Sequence, residues 1–344
     1  MSEMQRTDVN TLGEFGVIDH LTRDISLLHP SSVKGVGDDA AVIRHSDDTA
    51  MVVSTDMLVE GIHFDMAYSP LKHLGYKAMA VNFSDIYAMN ATPKQVLVSM
   101  ALSNRYSVEA LEELYAGIKL ACQRYQVDLV GGDTTSSPRG LALSITAIGE
   151  AHPEDVVYRQ GAKPGDILCV TGDLGSAFLG LQLLEREKRI FEENPDIQPD
   201  LGERSYLIER QLKPEARQDA IAYFKKEKFR PTAMIDISDG LASEIFHICK
   251  QSHCGAYIEE DKVPMHPDTE AQALEFKLNP ITCALNGGED YELLFSVDPK
   301  DLEKIRYMQD VFLIGEIVEP ERGVTLHTTG AKVVPLEAQD WKHF

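Results

Sequence analysis

Basic residues are in short supply in this chain: 33 lysines and arginines stand against 55 aspartates and glutamates, a formal charge of −22 over 344 residues. Binding a nucleic-acid backbone rests on clustered Lys and Arg, and no such stripe runs through the sequence, which argues against a nucleic-acid partner. Cysteine is sparse as well. The five cysteines, at 122, 169, 249, 254 and 283, are odd in number and form no C-x-x-C pair, a usage that fits a reducing compartment better than a disulfide framework. His247, Cys249, His253 and Cys254 lie close together, but their spacing matches no zinc module and helical periodicity would scatter the four side chains. No apolar run is long enough to span a bilayer, and the polar start MSEMQRTDVN has no apolar signal segment, so the expectation is a cytoplasmic protein without a membrane partner. The nucleotide-binding G-x-x-x-x-G-K-[ST], the esterase elbow G-x-S-x-G and the zinc-protease H-E-x-x-H are also missing.

What the chain does have is acid placed behind glycine turns and after apolar runs. In Gly35–Phe64, Asp38 and Asp39 follow Gly35 and Gly37, and Ser54-Thr55-Asp56 follow Met51–Val53. Read as a short strand, Met51–Val53 would end at those three residues and their oxygens would meet at a strand mouth. Hard cations such as Mg²⁺ take oxygen ligands of this kind. An Asx-rich surface turn uses the same residue types and stays open as an alternative. The same stretch spells a degenerate G-x-G-x-x-A dinucleotide fingerprint; two carboxylates inside it would repel a bare diphosphate, and no strand precedes it.

The pattern recurs along the chain. Gly13–Leu28 has helical spacing, and residues 71–89 read as a helix apolar on most sides that carries Asn82 and Asp85. A buried carboxylate needs a partner or a metal. Ser107–Gln126 is an amphipathic helix, and Val127–Val130 is a strand running into Gly131-Gly132-Asp133-Thr134-Thr135. The Pro-, Gly- and polar-rich stretch 152–166, which contains Arg159, reads as a crossover, dividing the chain into residues 1–155 and 156–344. In the second part Ala233–Ile237 empties into Asp236, Ser238 and Asp239 before a helix, and Gly287-Gly288-Glu289-Asp290 precede another strand. Residues 188–204, charged and with two prolines, read as an irregular surface segment, and 213–228 as a helix. The length and composition of the chain allow two domains with substantial cores. From these residues alone the chemistry is Mg²⁺-dependent work on a phosphate compound.

The blocks GVGDDAAV, STDMLVEGIHF, AVNFSDIYAM, GGDTT, GAKPGD, IDISDGL and GGEDYEL occur in that order from residue 35 to residue 293. Together they closely resemble the thiamine-monophosphate kinases, over nearly the whole chain. The resemblance implies an N-terminal α/β ATP-binding domain whose mixed sheet pairs in a homodimer, and a C-terminal α/β domain that completes the active site. It also implies a site residue by residue: Asp39, Ser54, Thr55, Asp56, Asp85, Asp133, Asp236 and Asp239 on several Mg²⁺ ions; Tyr115, Gly132, Arg159 and Ser238 on the co-substrate ATP; His63, Glu289 and Trp341 on thiamine monophosphate. The implied reaction is direct in-line phosphoryl transfer to a phosphate acceptor, whose second ionisation lies near pH 6, so that no dedicated catalytic base is expected. Aminoimidazole ribonucleotide synthetase, selenophosphate synthetase and a hydrogenase-maturation enzyme share some of these blocks. The chain has no cysteine before Cys122 and ends in Phe344, which sets it apart from the last two. Asp38 is left without a role.

Overall fold

A computed structural model of the chain describes residues 11–198, 201–202 and 204–338; Trp341 lies outside them. Two mixed sheets organise the molecule. The first contains β1 (Ser32–Lys34), β2 (Ala41–Arg44), β3 (Ala50–Val59), β4 (Thr92–Leu102), β5 (Asp128–Ser136) and β6 (Leu141–Ala151), in the order β1-β2-β3-β6-β4-β5. β4 and β5 run parallel, and the other neighbours are antiparallel. Before and between these strands come α1 (Gly13–Thr22), α2 (Leu71–Ala88) and α3 (Val108–Tyr125). The second sheet holds β7 (Ile167–Thr171), β8 (Ala233–Asp236), β9 (Gly255–Glu259), β10 (Leu293–Val297), β11 (Val311–Val318), β12 (Val324–His327) and β13 (Val333–Pro335), ordered β13-β12-β9-β11-β7-β10-β8. Its helices include α4 (Ser176–Glu193), α5 (Ser205–Leu212), α6 (Gln218–Glu227) and α7 (Leu241–Ser252).

The β7-β10-β8 part of the second sheet is buried on both faces, and its pleat sorts side chains between two cores. Cys169, Met234 and Phe295 join the core shared with the first sheet, α2 and α6, while their neighbours Leu168, Ile235 and Leu294 join a second core with α7. Asp236 is two residues beyond Met234 and therefore faces the first half of the chain. That alternation is what carries an acid from one half to the site of the other.

Helix α2 is the element on which both halves meet. It is apolar on nearly every side and buried over most of its length, and it packs on β3, β4 and β6 while reaching β8. Its seat against α3 is a backbone contact: a Cβ at Gly75 would stand 2.1 Å from the Leu114 carbonyl oxygen, and one at Gly117 would stand 1.9 Å from that of Lys72. Any side chain at either position would push the helices apart.

Several expected boundaries move. α1 stops at Thr22 rather than residue 28, and Leu28 beyond it is 85% exposed, so burial does not reward continuing the helix to it. β3 does not end at Val53; it pairs with β6 from Ala50 to Val59, so Ser54, Thr55 and Asp56 sit within the strand with their backbone bonds satisfied. β5 likewise runs through GGDTT instead of stopping before it. Residues 188–193 continue α4, with Lys188 bonded to Asp65 at 2.6 Å, and α5 occupies 205–212. The helix expected from 213 begins only at Gln218.

Candidate active site

Three carboxylates from three distant parts of the chain converge. Asp39, in the turn before β2, Asp85, on the last turn of α2, and Asp236, at the end of β8, each bring a carboxylate oxygen within 4.8 Å of the others. Neighbouring side chains fix their poses. The Ser54 hydroxyl, on β3, donates to Asp85, and Ser84, beside Asp85 on α2, donates to Asp236 at 2.6 Å. Asn82 accepts from the Asp56 backbone N–H at 3.2 Å and ties back to the Ala78 carbonyl at 3.0 Å. Arg159 lies over the trio, its Nε and Nη2 both donating to Asp39 Oδ1, at 3.1 and 2.5 Å.

Burying like charges together is costly, on the order of several kcal/mol per ion unless paired, and the acids register it. Burial pushes the Asp39 carboxyl up to about 7, with Arg159 opposing and Asp236 adding to the rise. Burial and then Asp39 raise Asp56 to about 6. Asp236 also rises to about 6, chiefly through burial, against the pull of the Ser84 hydroxyl and Arg159. Asp85 is raised well above the carboxylate range, by burial first and then by Asp56, Asp236 and Asp39. Asp39 Oδ2 is buried without a hydrogen-bond partner. A set of hard oxygen donors, mutually repelling and with one acceptor orphaned, fits a divalent cation such as Mg²⁺.

Around the trio the turn after β8 adds Ser238 and Asp239. The Asp239 backbone N–H donates to Glu244 Oε1 at 3.0 Å, and the Ser238 carbonyl accepts from the Glu289 N–H at 2.7 Å. Glu289 is held in a left-handed conformation, φ +57°.

Comparison with known proteins shows what family the chain belongs to. Two family models match in succession, AIR synthase related protein, N-terminal domain, over residues 37–151, and its C-terminal domain over residues 163–327. The thiamine-monophosphate kinase of Aquifex aeolicus is 35% identical over 333 residues, 97% of this chain and 98% of that one. That of Bacillus subtilis is 35% identical over 344 residues, 97% of this chain and all of its own. The chain belongs to the thiamine-monophosphate kinase family. A solved structure of this family, AaThiL complexed with AMPPCP and TMP, superposes with a TM-score of 0.83 at 33% identity, covering 99% of this chain and 100% of that one.

Within this kinase fold not every expected residue reaches the trio. Thr55 points to the opposite face of β3 and bonds to the Ile145 carbonyl at 2.9 Å and to Thr146 at 3.2 Å. Asp133 pairs with Ser99, Ser99 with Ser144, and Ser144 with Met57, so it stands three strands from β3, about 14 Å at the usual strand spacing. It is also on the face turned away from Asp56. Tyr115, Gly132 and Asp133 instead line a separate cleft of about 520 Å³ at the β5 edge. Gly132 is required there, because a Cβ would lie 1.8 Å from the Val98 carbonyl oxygen. His63 accepts from the Val59 N–H through Nδ1 at 3.0 Å.

Asp38, without a role in the sequence, accepts from the Arg159 backbone N–H at 3.1 Å and pairs with Lys34 at 3.2 Å, anchoring the crossover that delivers Arg159. Two charged residues join the site without having stood out in the sequence. Glu244, buried in the first turn of α7, holds the Asp239 turn, and an acid just after a glycine-led helix start was its available signal. Lys77, 5% exposed on α2, donates to Glu289 Oε1 at 2.8 Å and to the Gln211 carbonyl at 3.1 Å. A lysine set among the buried apolar residues of the helix was the clue.

Proposed function

We propose that this protein transfers the γ-phosphoryl group of ATP to the phosphate of thiamine monophosphate, yielding thiamine diphosphate and ADP in thiamine diphosphate biosynthesis. The reading rests on membership of the kinase family together with one observation: acids from both halves of the chain converge at Asp39, Asp85 and Asp236. Asp39, Ser54, Asp56, Asp85, Asp236 and Asp239 would hold Mg²⁺ from within one chain, and Thr55 and Asp133, which lie on the outer face of the first sheet, would do so from that face; the bound ions neutralise charge on the two phosphate groups that must approach each other. Arg159, Ser238, Gly132 and Tyr115 would bind ATP. His63 and Glu289 would orient the acceptor, with Trp341 offering an aromatic face. The phosphate oxygen of the acceptor forms the new P–O bond as the bond to the ADP oxygen breaks, and its charge at neutral pH makes a side-chain base unnecessary.

The protein works in this proposal as a homodimer in the cytoplasm, with the two domains divided near residue 155. The outer face of the first sheet supports the dimer: among the described residues no helix layer covers it, and Met57 and Ile43 on it are 58% and 37% exposed. Pairing two such faces would bury that apolar surface and let Asp133, Gly132 and Tyr115 of one copy serve the trio of the other. Among the described residues no helix is long and apolar enough to cross a membrane.

Incubation of the purified protein with Mg²⁺, ATP and thiamine monophosphate, followed by separation of the thiamine phosphates, should give thiamine diphosphate and an equal amount of ADP. Absence of that product, with turnover of formylglycinamidine ribonucleotide in its place, would overturn the proposal.

A further inference from the structure

We infer that Lys77 is a positioning residue for acceptor recognition, acting through Glu289; the inference rests on the reading of Glu289 as an acceptor ligand. Lys77 comes from α2 and Glu289 from the turn before β10, so their 2.8 Å bond joins the two halves of the chain. The Lys77 side chain is 6% exposed and that of Glu289 is 30% exposed. The carboxylate therefore still opens outward while the ammonium is sealed behind it. Gln211 Nε2 donates to the other oxygen, Oε2, at 2.7 Å. Each oxygen keeps a lone pair for a ligand N–H, so the two donors orient the group without consuming it.

Two physical consequences favour a role beyond packing. A buried ammonium is costly unless paired, and an apolar residue would fill an otherwise apolar helix at lower cost. The acceptor also carries a phosphate, which an isolated Glu289 would repel; Lys77 offsets that charge where it stands. The same helix carries Asp85 eight residues on, about two turns along the helix. Acceptor orientation and the acid trio are thus fixed to one rigid element.

The test is a kinetic cycle of Lys77→Met, Glu289→Gln and the double variant, with KM measured separately for thiamine monophosphate and ATP, and folding followed by circular dichroism. Lys77→Met should raise KM for thiamine monophosphate about tenfold or more, the scale of one charge-assisted hydrogen bond. KM for ATP should stay within about twofold, and the Lys77→Met effect should vanish in the Glu289→Gln background. If Glu289→Gln raises that KM and Lys77→Met does not, or if Lys77→Met raises both KM values alike, the role of Lys77 is overturned while the reading of Glu289 stands. If Glu289→Gln itself changes nothing, the underlying reading fails first. Should Lys77→Met not fold, Lys77→Arg, which keeps the charge but not the ammonium geometry, takes its place with the same outcomes in smaller measure.

Discussion

The acid trio and the GGDTT strand both offer aspartate oxygens suited to a hard cation, yet they are built in opposite ways. Asp39 and Asp236 are buried and Asp85 partly so; they are bonded to Arg159, Ser84 and Ser54, and their carboxyls are raised chiefly by burial. β5 is an edge strand exposed along its whole length, and Asp133 bonds only locally, accepting from the Thr134 N–H at 2.8 Å. The first region is completed by the chain's own tertiary contacts. The second lies open at a sheet edge, where the proposed dimer would bring a partner to it. Acid at a glycine turn therefore says what a site can bind, and topology says with whose help.

The largest effect that would break this contrast concerns the partner. Asp85→Asn and Asp133→Asn should each reduce turnover to near background while leaving the fold intact. Mixed and allowed to exchange subunits, they should recover about a quarter of wild-type activity, because half the dimers are hybrids with one intact site of two. No recovery of thiamine diphosphate formation after exchange would mean that Asp133 serves its own chain.

The next concerns the seat of α2. Gly117→Ala places a Cβ where the Lys72 carbonyl already lies. It should lower the thermal midpoint by several degrees, the result of about 1–3 kcal/mol of overpacking, and reduce turnover with it. Calorimetry showing an unchanged midpoint would remove the backbone contact as the reason α2 holds its acids in place.

The smallest effect tests the buried acids by pH. Carboxyls raised to about 6 and 7 in Asp236, Asp56 and Asp39 favour the protonated folded state. Their contribution to stability is full below the unfolded value near 4 and lost as pH rises through 6 to 7. Mg²⁺ needs the ionised form, so its affinity, and the rise in thermal midpoint it causes, should grow between pH 5 and 8 with release of protons. A titration followed by differential scanning fluorimetry would show this. Asp39→Asn should flatten the metal-free pH dependence.

Much of the site was legible in the sequence because its chemistry is local. Asp39 behind Gly37, Asp85 on an apolar helix and Asp236 at a strand end each announce themselves by a polar group where burial or a turn demands a reason. Individual strands and helices follow from the periods 2 and 3.6, and the α/β class from the family resemblance. The neighbourhood was not legible. Ser54-Thr55-Asp56 lie inside β3, not beyond it, because β6 happens to pair with the full length of that strand, and this pairing sends Thr55 to one face and Asp56 to the other. Lys77 and Glu289 are 212 residues apart and meet only because α2 bridges both halves. Residue type and spacing determine which groups need partners. Only the tertiary structure decides which partners they find, since pairing register and helix seating depend on backbone contacts between segments that the sequence leaves far apart.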